Sequence, residues 1–246
     1  MSWRQRITIA AAIVCGLFVA ALTGSRAGWV ALLFTVPTVL ALHIGWGARY
    51  RRLAGAAFAV LLALATVFWL DPALTQKMSL GVSRLLAYDF DAPDQTSSIG
   101  IRISLWRLAF ELIGERPLLG WGVRGWLLGY HDGRLPAYVG EQVMFFAGAG
   151  FHSELLTKLV HHGLAAGLAS AALIIMPVPA FLRRRGGRVE DRPIMVAAVV
   201  YFVSLAVASF ATETFDLKYQ YSLYGTLLAV FGVPLLLNDE HPHHDA

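Results

Sequence analysis

The sequence predicts an all-α protein of the membrane, a polytopic helical bundle with about six spanning helices and one large loop outside the cytoplasm. Three observations carry that expectation. The 246 residues are 57% hydrophobic and only 15% charged, where soluble chains have about 45–50% and 25%; the mean hydropathy is +0.59. The apolar residues sit in blocks near the roughly 20 residues that a helix needs to cross a bilayer. The arginines gather at the ends of those blocks. The net charge of +4 and pI near 9.4 would suit a nucleic-acid binder, but arginines at block ends belong to membrane topology, so no nucleic acid is expected as a partner.

The chain is read as a single membrane domain, 1–246. Its first block, 7–22, follows Arg4 and Arg6 and has the look of a signal peptide. Ser25-Arg26-Ala27 is a poor cleavage site and leads at once into a second block, so an uncleaved helix is expected. The other spans are predicted at 27–45, 53–70, 164–182, 193–211 and 221–237, with a tail at 238–246. The third block stops at Asp71-Pro72, and the loop runs to about Ser153. Cys15 lies inside the first block, where it reads as a small buried hydrophobe.

Orientation follows from the short loops. Arg4 and Arg6, then Arg49, Arg51 and Arg52, then Arg183, Arg184, Arg185, Arg188 and Arg192 fall on one side when the spans alternate. That side is the cytoplasm, and both termini are expected there. The opposite turns carry only Arg26 and Lys218, so the long loop faces outward.

Within the loop, 89–98 is polar and turn-rich and reads as a connection. Ser97 or Ser98 can cap a helix running to about Gly114. Ile99, Ile103, Trp106, Phe110 and Ile113 recur at steps of four and three, which predicts the apolar stripe of an amphipathic helix lying on the membrane surface or packed on the spans. Pro117 ends it, and Leu118-Leu119-Gly120-Trp121-Gly122 forms a tight apolar turn.

Three outward polar residues stand out. Arg26 follows Thr23-Gly24-Ser25 in a very short turn. A snorkelling arginine explains it, yet it lies on the side that positive charge avoids, which favours an anionic partner. Arg107 has Glu111 four residues on, and a surface ion pair accounts for it. Arg102 has no acidic partner on its own helix, so a solvated charge and a ligand-binding cation stay open. His152 precedes Ser153-Glu154 at a helix start; it reads as a capping or interfacial residue, or as a general base. His161 and His162 lie nine and ten residues on, too far from His152 for a metal pair on one face. His241, His243 and His244 belong to a solvated tail. Asp132, Glu141 and Glu154 are outward acids that no spacing singles out. Phosphate-loop, nucleophile-elbow and zinc-protease motifs are absent, so neither cofactor nor metal is expected.

Taken together, these segments resemble the O-antigen ligase and polymerase family. Leu22-Thr23-Gly24-Ser25-Arg26-Ala27-Gly28 is similar to its T-x-S-R-x-G turn. Arg102 to Trp106, with Glu115-Arg116-Pro117-Leu118-Leu119-Gly120-Trp121-Gly122, resembles its R-x-x-x-W…P-L-L-G-x-G loop. Phe151-His152-Ser153-Glu154-Leu155, followed by Gly163-Leu164-Ala165-Ala166-Gly167-Leu168, resembles its H-[SN]-x-x-L…G-L-x-G-L helix start. The order and separations also fit, over about Ile7 to Leu237.

The resemblance implies a glycosyltransferase of the bacterial inner membrane, active on the periplasmic face in lipopolysaccharide biosynthesis. Its donor would be a glycan on undecaprenyl diphosphate, and its acceptor a lipid-linked sugar, either lipid A core or a growing O-antigen chain, among membrane lipids. It implies neither nucleotide nor metal. Two arginines and a histidine serve the family, and by motif they fall on Arg26, Arg102 and His152, the arginines on the diphosphate. Family members are much longer, and this chain corresponds to their C-terminal half. A non-catalytic or truncated remnant of the fold is therefore the alternative. A small transporter is a further one, disfavoured because the spans are nearly free of ionisable groups.

Overall fold

The computed structural model describes Thr38 and residues 72–90, 97–130, 136–183, 192–216 and 218–237. Thr38 apart, the first three expected spans, the turn holding Arg26 and the tail lie outside the described residues. Every element within them is a helix: α1 (Pro72–Leu86), α2 (Ser98–Glu115), α3 (Gly125–Tyr130), α4 (Glu141–Ala147), α5 (Glu154–Ile175), α6 (Pro177–Leu182), α7 (Arg192–Ser209) and α8 (Lys218–Leu237). Two stretches are long and apolar enough to cross a membrane, Glu154–Leu182 and Arg192–Ser209. They cover the expected fourth and fifth spans, and α8 occupies the place of the sixth.

The loop holds more helix than its composition suggests. Pro72, where the third apolar block was expected to stop, opens α1. Proline suits a first helical turn, where its missing N–H is not needed. The helix expected near Ser97 is present as α2. Ser97 is its cap, and its Oγ accepts from the Gly100 N–H at 3.0 Å. The buried stripe of α2 differs from the expected one. Ile101, Leu105, Leu108, Ala109 and Leu112 are buried, whereas Phe110 is 64% exposed and Ile99, Ile103, Trp106 and Ile113 are half-buried. The physical reason is that α2 is apolar on two sides. Ile101, Leu105, Leu108 and Leu112 have the same four-and-three steps as the predicted set, so period alone does not choose the face. The face that wins packs on α4 and α5.

A short strap from Arg116 to Gly122 joins α2 to α5 by backbone bonds. Gly163, with φ 73° and ψ −167°, breaks α5. Such a break strips the carbonyls of the preceding turn of their helical donors. The strap replaces those donors. Trp121 N–H donates to the Val160 carbonyl and Gly122 N–H to that of His161, both at 2.8 Å, and Leu164 N–H donates to the Pro117 carbonyl at 2.9 Å. The backbones are so close that a Cβ on Gly163 would strike the Leu118 carbonyl, and one on Gly120 would lie 2.6 Å from the Gly163 nitrogen. Trp121 also donates its Nε1–H to the Leu112 carbonyl at 2.9 Å, and the Arg116 guanidinium lies 4.1 Å above its ring. Gly163 thus divides α5. The turns before it carry Glu154, Lys158, His161 and His162, and from Leu164 to Leu182 there is no charged residue.

Two apolar cores result. One joins α2, α3 and α4 to the start of α5 through Leu105, Leu108, Leu112, Trp126, Val143, Phe151 and Val160. The other joins α5, α6, α7 and α8 through Ile174, Phe181, Met195, Phe202 and Phe215. The segment 210–216 between α7 and α8 brings the second core's polar end beside the start of α5.

Candidate functional site

His152 stands where the chain turns into α5. Its neighbours fix it. Phe151 is fully buried, its ring 5.7 Å from that of Trp126. The Phe151 N–H donates to Thr157 Oγ1 at 2.9 Å, one turn inside the helix. Ser153, not His152, is the helix cap. His152 itself has φ 49°, a left-handed conformation uncommon for a residue with a Cβ. Strain of this kind costs about 1–3 kcal/mol and persists only where surrounding contacts enforce it.

The enforcing contact comes from Glu213, in the segment between α7 and α8. The His152 N–H donates to Glu213 Oε1, and Oε2 lies 3.7 Å from His152 Nδ1. Thr157 Oγ1 lies within 3.4 Å of Oε1. The two side chains are 31% and 15% exposed, so the pair sits at the edge of the protein rather than in open solvent. Burial pushes the Glu213 carboxyl up, but the hydrogen bonds and charge of His152 outweigh it and hold the group below its ordinary value of 4.5. Gly150 makes room for this approach: with φ 153°, a Cβ there would collide with the Glu213 carboxylate. The His152 ring also rests 5.5 Å from that of Phe146.

A second polar set lies next to the first. Glu154 is fully buried. Its Oε2 accepts from the Phe215 N–H at 2.9 Å, and its Oε1 from Ser170 Oγ at 3.3 Å. Lys158 Nζ lies 3.5 Å from Glu154 and 2.7 Å from Asp216. Ser209 and Thr214 share a bond of 2.7 Å that closes the segment's first turn. Glu154, expected as an outward acid, is thus an interior tie.

The other candidates are placed as follows. Arg102 is half-buried on α2, among residues that pack on α5, and it is not a free cation. Arg107 makes the expected pair with Glu111 at 3.4 Å. It also donates to the Phe90 carbonyl at 2.8 Å and lies 4.1 Å above the Tyr138 ring. Glu141 is exposed at the start of α4. Arg26 and Asp132 lie outside the described residues. Sequence reading missed Glu213 and Asp216. The available signal was a polar run, Thr212-Glu213-Thr214-Phe215-Asp216, between two apolar blocks.

A carboxylate facing Nδ1 at 3.7 Å can orient an imidazole and offset the charge it gains when the other ring nitrogen takes a proton. Comparison with known proteins gives the chain a family. A relative from Haemophilus influenzae, an uncharacterised protein, is 22% identical over 196 residues, which are 78% of this chain and 48% of the relative. The chain therefore spans about half the length of that curated relative. The profile of the O-antigen ligase family matches residues 11–169, which include Arg26, Arg102, the strap and the start of α5 with His152. With its long apolar helices and a match over more than half its length, the chain belongs to the O-antigen ligase family of bacterial membrane proteins.

Proposed function

We propose that the chain transfers a glycan from an undecaprenyl-diphosphate carrier to a lipid-linked sugar acceptor, lipid A core or growing O-antigen, at the periplasmic face of the inner membrane. His152 is the general base, with Glu213 behind it, and Arg26 and Arg102 hold the diphosphate. The observation that carries this reading is the His152–Glu213 pair. A base of this kind works when a third group fixes its ring.

In this reading the acceptor hydroxyl gives its proton to His152 Nε2, and its oxygen attacks the anomeric carbon of the donor sugar. The bond from that carbon to the diphosphate oxygen breaks, and its electrons pass to the leaving undecaprenyl diphosphate. Guanidinium groups suit this charge because they bind phosphate oxygens through paired hydrogen bonds and stay protonated at every relevant pH. Their effect is greatest where water is partly excluded. The carboxylate of Glu213 offsets the positive charge that the imidazole gains.

The test is transfer by the purified chain in lipid nanodiscs, supplied with a polyprenyl-diphosphate glycan and a lipid-linked acceptor. His152→Ala is expected to lower kcat by about 10²–10⁴, and Arg26→Ala and Arg102→Ala to abolish measurable transfer, with insertion intact. Full activity in these variants would remove the assignment. Absence of transfer by the wild-type chain would favour a non-catalytic member of the fold.

A further inference from the structure

Glu154 and Lys158 are buried or half-buried ionisable groups that the proposed reaction leaves without a task. Neither touches His152. Both reach across to the segment that carries Glu213. Glu154 Oε2 takes the backbone N–H of Phe215, two residues beyond Glu213, at 2.9 Å. Lys158 Nζ takes Asp216, three residues beyond, at 2.7 Å, and is itself 3.5 Å from Glu154. Ser170 adds a hydroxyl to the other oxygen of Glu154 at 3.3 Å. A carboxylate removed from water needs this much compensation. All three residues lie on α5, whose first turn also sets His152. One helix therefore holds both members of the His152–Glu213 pair, one by chain connection and the other through this clamp.

We propose that Glu154 and Lys158 are positioning residues, which fix segment 210–216 so that Glu213 reaches the His152 imidazole. The task of this clamp rests on the transferase reading above, but its geometry is tested separately. Apolar packing of Phe215 against Tyr221 and Tyr224 holds the same segment from its far side. That packing fixes where the segment sits. The clamp sets which way its acidic residue faces.

The experiment uses the full chain in nanodiscs and two readouts. The first is the rate at which diethyl pyrocarbonate modifies His152, followed by peptide mass spectrometry, which needs no catalysis. Glu213→Gln removes the carboxylate that faces Nδ1 at 3.7 Å and is expected to raise the rate severalfold. Glu154→Gln and Lys158→Met are expected to raise it in the same direction, and Lys158→Arg to keep the wild-type rate. The second readout is transfer. In Glu154→Gln and Lys158→Met, kcat falls about ten- to hundredfold, as for a misplaced catalytic group, while KM for the donor holds within twofold, because the arginines are untouched. His152 modification at the wild-type rate in both clamp variants, with Glu213→Gln raised, would overturn the proposal. So would an equal loss in Lys158→Arg and Lys158→Met. If the wild-type chain shows no transfer, the proposed function fails, and the modification rates alone decide the clamp.

Discussion

The two cores of this molecule are held by different means. Around the start of α5, directional bonds dominate: the strap's N–H groups on the Val160 and His161 carbonyls, Thr157 on Phe151, Glu213 on His152, and Glu154 on Phe215. Among α6, α7 and α8, aromatic faces and edges dominate. Phe181 stacks on Phe202 at 5.8 Å, and Phe202 meets Tyr224 edge-on at 5.6 Å. Directional bonds fix one geometry and fail when one atom is misplaced. Apolar packing tolerates change as long as volume is kept. The region that must hold a reactive imidazole uses the first means, and the region that faces lipid in the membrane reading uses the second.

Three measurements break or sharpen that contrast. The largest effect is expected at Gly163. Gly163→Ala places a Cβ against the Leu118 carbonyl and forces alanine into a positive φ, a conformation that alone costs about 1–3 kcal/mol. Thermal unfolding of the detergent-solubilised chain is expected several degrees lower. An unchanged Tm would show that the strap's bonds do not hold the region. The next effect is at Phe202, where Leu keeps most of the volume. Phe202→Leu is expected to cost under about 1.5 kcal/mol, and a loss as large as that at Gly163 would erase the contrast.

The smallest effect is a pH dependence confined to the polar side. Glu213 titrates lower in the folded chain than its ordinary 4.5, mainly through His152 acting against burial. A carboxyl depressed in this way contributes stability that is present above 4.5 and is lost as pH falls through the folded value. Unfolding followed between pH 7 and 3 is therefore expected to lose stability below about 4.5, and Glu213→Gln to lose less over the same interval. Equal slopes for the two proteins would mean that the pair adds nothing to stability.

Local pattern carried a good part of this structure. The Ser97 cap, the turn after Pro117, the long apolar stretches and the position of His152 at a helix start were all readable, because each depends on residues within a turn or two. Three things were not. The face of α2 was misassigned because both sides of that helix are apolar. The helices α3 and α4 are only six and seven residues long, too short to show a period. Glu213 escaped because its partner is 61 residues away in sequence. The pair forms only when α7 returns the chain to the start of α5, and no spacing rule reaches across that distance. For the same reason Glu154 looked like an ordinary acid until Phe215 was placed beside it.

The splice at Gly163 also bears on the order in which the molecule is assembled. Carbonyls left open by a helix break are costly where water is scarce, at several kcal/mol for each group in lipid. The N–H groups that close them belong to Trp121 and Gly122, which leave the ribosome before Val160 and His161 do. The acceptor side of the joint is thus made into a setting where its donors already exist. A circularly permuted chain that delivers α5 before the strap would present those carbonyls first, and its yield of inserted protein is where the penalty would register.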